Sequence, residues 1–332
     1  MYRRIIVPLD GTAFGEYAVP FAVTIARRTG AALELAHVHT PTVPDGALED
    51  LTPYQFTGVT EFEHDFDEAA ARQEAERLRE VARRLASEHD ITVSARVLTG
   101  HVALAIHRET DEQHVDLVVM ATHARAGLDR ARLGSVADDL VRHSDCPVLL
   151  VRPPRELPDP AAPRAPRFER VLVPLDGSAF SERILDPVSE LLWWLGARVT
   201  LFQAVSPAVG GGLRPGKELD TVVGEARRSV TEYLEGVADR ISDIAPESRV
   251  LVVEARDAAP AILEAADAEG ADLIAMATHG RGGLTRLLLG STGDRVVHET
   301  HRPVLLFRPP PVQRARAKGG LTGAMFAGVR PA

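Results

Sequence analysis

The sequence predicts an α/β fold: two tandem, doubly wound, five-stranded parallel-sheet domains, each an α/β/α sandwich, paired as an intramolecular pseudo-dimer. Three observations carry this. Short apolar runs such as "VDLVVMATH" (115–123) and "ADLIAMATH" (271–279) are continuous rather than alternating, as strands buried on both faces require. Amphipathic segments separate these runs, the order expected of βαβ units. The pattern also occurs twice: "IIVPLDGTAFGE" (5–16) matches "VLVPLDGSAFSE" (171–182) at eight of twelve positions, and "CPVLLVRPP" (146–154) matches "RPVLLFRPP" (302–310) at seven of nine.

A third matched pair lies between these. "ATHARAGLDRARLGS" (121–135) and "ATHGRGGLTRLLLGS" (277–291) share ten of fifteen residues. The offset is 166 for the first block and 156 for the other two, so one half has gained or lost about ten residues in between. A domain-sized period means duplication rather than a solenoid. The expected division is a first domain over 1–152, a linker over 153–167, a second domain over 168–309 and a tail over 310–332. The linker holds six prolines in fifteen residues, which makes it stiff and extended. The tail has the composition of a disordered segment.

In each half a short strand, "RIIVPLD" or "RVLVPLD", opens the domain. One amphipathic helical segment follows, "FGEYAVPFAVTIARRTG" or "FSERILDPVSELLWWLG", stopped by Gly30 or Gly196. "ALELAHVHT" and "RVTLFQAVS" form the second strands. A long helix comes next, "FDEAAARQEAERLREVARRLASEH" in the first half, laced with Glu/Arg pairs at i,i+3 and i,i+4. Its counterpart is "VGEARRSVTEYLEGVADRIS". Third strands, "ITVSARVLT" and "SRVLVVEA", lead to short helices over Ala103–Glu112 and Pro260–Glu269. The fourth strand ends at Ala121 or Ala277, and a further helix opens near Gly134 or Gly290. "PVLLVR" and "PVLLFR" close the halves. Each lies at a sheet edge, and an edge that apolar invites pairing.

The chain has 332 residues, with 45% hydrophobic and 26% charged, enough aliphatic material for two cores. Net charge is −9, and the last 22 residues carry four basic groups and no acid, which leaves the body near −13. So acidic a surface disfavours nucleic acid. One cysteine, Cys146, rules out an internal disulfide and fits a reducing cytoplasm. The N-terminus has no apolar stretch of signal-peptide type, and no run approaches membrane-spanning length, so a membrane is not expected as a partner.

Where strand order reverses in such a sheet, ligands sit beyond the carboxyl ends of the strands. The helix opened by Gly290, Ser291 and Thr292, like that opened by Gly134, Ser135 and Val136, presents free N–H groups and a partial positive charge there, which suits phosphate. Gly280 and Gly283 permit close backbone approach. Arg281 and Arg125 are placed either to pair with phosphate or to lie solvated in the loop. Pro8, Leu9 and Asp10, and Pro174, Leu175 and Asp176, form the facing strand tips. Either carboxylate can contact ribose or base, help hold a cation, or simply cap the next helix. The backbones of Val38 and Val205 are expected to line a base pocket.

These residues resemble the universal stress protein family over about 290 of the 332 residues. The family's nucleotide signature, G-x2-G-x9-G-[S/T], falls on Ala277, Gly280, Gly290 and Ser291, and on Ala121, Ala124, Gly134 and Ser135. The resemblance implies a tandem member with ATP as ligand, with or without Mg2+. Alanine at position 124 costs on the order of 1 kcal/mol if the family backbone is left-handed there. Both halves are therefore expected to hold nucleotide, the second more tightly, with a first half that only scaffolds as the alternative.

Other signals are weaker. "EFEHDFDE" (61–68) suits the acidic first turn of a helix better than a metal. His37 and His39 alternate on the second strand, and their counterparts Ala204 and Ser206 are not histidines, which argues against a required metal pair. The sequence has no Walker loop and no nucleophile elbow, so slow ATP hydrolysis is the most that is expected. An interaction scaffold with empty loops is the competing reading. Universal stress proteins dimerise through the closing strand. Here the two halves supply both partners, a further homodimer is left open, and any protein partner is unknown.

Overall fold

The computed structural model describes residues 2–40, 61–122, 133–154, 156–157, 166–207, 217–278 and 290–309, with backbone alone for 61–68 and 217–219. Most of the expected linker and the expected tail fall outside this set.

The first half runs β1 (Arg4–Leu9), α1 (Ala13–Glu16), α2 (Val19–Thr29), β2 (Ala32–His39), α3 (Glu61–His89), β3 (Val93–Thr99), α4 (Val102–Glu112), β4 (Leu117–Ala121), α5 (Ser135–His143) and β5 (Val148–Val151). The second repeats it: β6 (Arg170–Pro174), a 3₁₀ turn (Ser181–Ile184), α6 (Leu185–Leu195), β7 (Arg198–Val205), α7 (Lys217–Arg240), β8 (Arg249–Glu254), α8 (Ala258–Ala268), β9 (Leu273–Ala277), α9 (Ser291–Glu299) and β10 (Val304–Phe307).

Within each half the strands are parallel, in the order β3-β2-β1-β4-β5 and its mirror β10-β9-β6-β7-β8. The apolar edges meet. β5 and β10 pair antiparallel, Val304 opposite Leu150 and Leu306 opposite Val148, giving one ten-stranded sheet. Alternate strand residues feed two core layers that cross both halves. Ile5, Leu33, Leu149, Leu201 and Leu305 pack with α2, α3, α6 and α7 on one face. Ile6, Val118, Leu150, Phe202 and Leu306 pack with α4, α5, α8 and α9 on the other. The expected doubly wound pair of sandwiches is the observed fold.

Both closing strands end in an arginine that reaches across the seam. Arg152 Nη1 donates to the His298 carbonyl at the end of α9 and lies 3.4 Å from that of Thr300. Arg308 Nη1 donates to the Arg142 carbonyl at the end of α5. Positions 152 and 308 are repeat equivalents, as are 142 and 298, so the seam is self-complementary in the manner of a two-fold interface. Cations here also meet the negative ends of helix dipoles. The Tyr2 hydroxyl donates to the Pro187 carbonyl at 3.0 Å, and Phe21 packs edge-on against Phe168 at 6.2 Å, extending the contact.

The helical segment after the first strand is not continuous. It divides into α1 and α2 in one half, and into a 3₁₀ turn and α6 in the other. Pro20 and Pro187 stand near the start of the later helices, where their missing N–H and ring cannot continue a helix from upstream. Gly30 and Gly196 stop these helices as expected, with φ of 73° and 65° and N–H bonds back to Ala26 and Leu192. α8 begins before Pro260, because the Asp257 carboxylate accepts from Ala259 N and caps it. α3 begins at Glu61, so the acidic stretch 61–68 forms its opening turns.

Candidate nucleotide crevice

β1 pairs with β2 along its whole length, from Arg4 opposite Ala32 to Leu9 opposite His37. With β4 it pairs only at Ile5–Leu117 and Ile6–Val118. β6 repeats this, meeting β9 only at Val171–Leu273 and Leu172–Ile274. The "VPLD" proline accounts for the difference. Leu175 N donates to the Phe202 carbonyl of β7 at 2.8 Å. Alternate residues of a parallel strand bond to opposite neighbours, so Pro174 is turned toward β9 with no N–H to offer. Pro8 is its equivalent. The strand tips part at the point where strand order reverses, which makes the crevice.

Asp10 and Asp176 stand at those tips, each followed by a glycine in the left-handed region, Gly11 at φ 76° and Gly177 at φ 78°. Asp10 Oδ1 accepts from Thr12 N at 3.0 Å and Thr12 Oγ1 at 2.7 Å. Thr12 Oγ1 in turn accepts from Gly15 N and caps α1. Asp176 Oδ1 accepts from Ser178 N at 2.9 Å and Ser178 Oγ at 2.6 Å, and Ser178 Oγ accepts from Ser181 N. In both halves this turn uses Oδ1. Leu9 and Leu175 are buried in the core beneath.

Across the crevice Ala121 and Ala277 end β4 and β9. Thr122 N bonds the Val151 carbonyl at 2.8 Å, and Thr278 N the Phe307 carbonyl at 3.0 Å. The Thr278 carbonyl accepts from Gly290 N at 3.0 Å, holding the start of α9 against the end of β9. A β-carbon on Gly290 would lie 3.5 Å from that oxygen, whereas one on Gly134 would meet open space. Neither helix has a side-chain cap, since the N-cap residues are Gly134 and Gly290. The first intrahelical bonds are Asp138 N to Gly134 O and Asp294 N to Gly290 O. The N–H groups of Ser135 and Val136, and of Ser291 and Thr292, precede them and need acceptors from outside the helix. Ser135 and Ser291 are exposed. Ala124, Arg125, Gly280, Arg281 and Gly283 lie outside the described residues.

Strand register corrects one pairing. Pro8 sits opposite Ala36 and Pro174 opposite Phe202, so Val38 is equivalent to Ala204, not Val205. Val38 and Val205 face opposite layers. The Val205 side chain is buried, and its carbonyl accepts from Ala255 N at 3.0 Å. The same register makes Gln203 and Val205, not Ala204 and Ser206, the counterparts of His37 and His39. The second half still lacks the histidine pair.

Two groups near the tips escape sequence reading because they arrive on the long helices. In the first half His37 Nδ1 donates to the Leu9 carbonyl at 2.9 Å. Glu74 of α3 stands 3.5 Å from His37 Nε2 and 2.9 Å from His39 Nδ1. In the second, α7 brings Tyr233 beside Glu182 and Asp176. Burial, then the charge of Glu182, push its phenol well above the ordinary 10.

Fold and crevice together define a tandem α/β sandwich protein with an uncapped, glycine-opened helix start in each half. A sequence model of the Universal stress protein family matches residues 1–152 and 167–308. The chain belongs to the universal stress protein family. A universal stress protein of Mycobacterium tuberculosis is 35% identical over 193 residues, 58% of this chain and 62% of that relative, so this match spans less than two thirds of its length. Another from the same organism is 27% identical over 317 residues, covering 92% of this chain and 95% of the relative. The crystal structure of a universal stress protein from Archaeoglobus fulgidus superposes with a TM-score of 0.61 at 18% identity, covering 93% of this chain and 97% of that one. No helix among the described residues is long and apolar enough to cross a membrane.

Proposed function

We propose that this protein binds adenine nucleotide, ATP with or without Mg2+, in the crevice of each half, and that occupancy serves a regulatory stress-response role in the cytoplasm. The observation that carries this reading is the repeated pairing of parted strand tips with an uncapped, glycine-opened helix start. Phosphate would meet the N–H groups of Ser291 and Thr292, and of Ser135 and Val136, together with the loop containing Gly280 and Gly283, or Ala124. Asp176 and Asp10 are the ribose or base acceptors. Arg281 and Arg125 are the candidate phosphate cations. The second half is the tighter site, because Gly280 is retained and Gly290 is fixed by Thr278. Any ATP hydrolysis is slow, since the sequence offers no Walker loop.

One observation favours the scaffold reading instead: Oδ1 of both aspartates is committed to its own turn. Calorimetric titration with ATP, with and without Mg2+, separates the two. The wild-type chain is expected to bind two nucleotides, falling to one in Gly280→Asp and in Ala124→Asp. Absence of saturable binding in the wild type leaves the scaffold.

A further inference from the structure

On the outer face of the first half, α4 and α5 bring together three donors that the nucleotide reading does not use. His107 Nε2 lies 3.2 Å from Asp139 Oδ2, and His143 Nδ1 lies 3.1 Å from Asp139 Oδ1. One ligand atom from each residue falls within 4.8 Å of the other two. The two imidazole rings are edge-on with centroids 6.0 Å apart. We infer that His107, Asp139 and His143 form a binding site for a divalent transition-metal ion of the zinc type, specific to the first half.

The distances fit. Bonds of about 2.0–2.1 Å from one tetrahedral ion to nitrogen and oxygen set donors about 3.3 Å apart. Two nitrogens and one carboxylate favour zinc, cobalt or nickel over magnesium or calcium, which prefer oxygen donors. The spacing on α5 is i,i+4, so Asp139 and His143 share one helix face, and His107 closes the site from α4. His143 Nδ1 now also lies 3.0 Å from the Asp139 carbonyl. An ion takes its place there when the ring carries its proton on Nε2, while His107 carries its own on Nδ1. Three protein donors leave at least one position for water.

The second half is an internal control. Positions equivalent to His107, Asp139 and His143 hold Leu263, Arg295 and Glu299. α8 and α9 pack together in the same way, with Arg295 bonded to Glu299 at 3.2 Å and to Asp257. The helix pair therefore packs without these donors, and packing alone does not account for them.

The test uses the full chain, stripped with chelator and free of nucleotide, so its outcome is independent of the ATP reading. Zinc titration by calorimetry is expected to give one ion per chain. His107→Leu, Asp139→Asn and His143→Gln should each weaken binding at least tenfold, since loss of even a partner that only orients a ligand costs about 10–100-fold. Zinc should raise the wild-type melting midpoint, whereas each variant, unchanged in circular dichroism, should show no such rise. Cobalt should give the visible bands of a nitrogen and oxygen site without a thiolate charge-transfer band. The assignment is overturned by absence of saturable zinc binding, by undiminished affinity in the folded variants, or by a thiolate band implicating Cys146.

Discussion

The Arg152 guanidinium bonds the carbonyl of His298, the last turn of a helix in the opposite half. Removing it leaves a helix C-terminus unsatisfied at the seam. Arg152→Ala is expected to cost about 2 kcal/mol, the range for a charge-assisted hydrogen bond, measured as a lower urea midpoint. Arg308→Ala should cost a similar amount, because it occupies the matching place against Arg142. Unequal losses would show that the two ends of the seam are not energetically equivalent.

Gly15 is packed against a carboxylate. A β-carbon there would stand 2.3 Å from Asp10 Oδ1. Glycine to alanine within a helix ordinarily stabilises, by up to about 1 kcal/mol. At this position the sign should reverse, with a net loss of about 1 kcal/mol from overpacking as the Asp10–Thr12 turn is displaced. Chemical denaturation of Gly15→Ala reads the sign directly.

Glu34 is a buried carboxyl in β2. Burial raises its pKa above the ordinary 4.5, and the charge of neighbouring Glu109 adds to this, while Arg96 and Arg4 oppose it. Its Oε1 has no hydrogen-bond partner among the described residues. A raised folded-state pKa means that the native chain holds this proton more tightly than the unfolded chain. The contribution is therefore fully present below 4.5 and lost as pH rises through the folded-state value. Glu34→Gln should raise the denaturation midpoint at pH 7. The gain should shrink as pH falls from the folded-state value toward 4.5 and be absent below it. A midpoint difference constant from pH 4 to pH 8 would contradict the assignment.

Alanine replaces a signature glycine at position 124. On the nucleotide reading, Ala124→Gly should tighten ATP binding to the first half about fivefold, the equivalent of about 1 kcal/mol. Gly280→Ala should weaken the second half by a like factor. Two-site calorimetric fits of both variants distinguish these shifts from a general change in stability.

Much of the architecture was legible in the residues. Continuous apolar runs gave buried strands, Gly30 and Gly196 marked helix ends, and the apolar "PVLLVR" and "PVLLFR" edges did meet. The breaks before Val19 and Leu185 were signalled by Pro20 and Pro187, but the amphipathic period runs through them and hides the interruption. The Val38–Val205 pairing failed because both are apolar residues near a strand end. Only the ladder from Pro8 and Pro174 fixes which residue is level with which, and a one-residue slip changes the face. Glu74 and Tyr233 could not be placed at the crevice from sequence, since the phase of a long helix over a strand tip is decided by packing. The capping alternative for Asp10 and Asp176 did not hold as read: the carboxylates brace Thr12 and Ser178, and Thr12 is the residue that caps α1. The D-G-[T/S] spacing is the signal that the following hydroxyl would close these turns.

The antiparallel join between β5 and β10 has a consequence for how the halves can change. In a dimer of identical chains, one codon alters both copies of a site at once, and dilution separates the copies. Here the copies are held at one-to-one ratio at any concentration, and each position is free to mutate alone. Leucine and arginine can therefore stand opposite histidine and aspartate across the pseudo-axis, so that the two flanks of one molecule carry different chemistry without an asymmetric assembly.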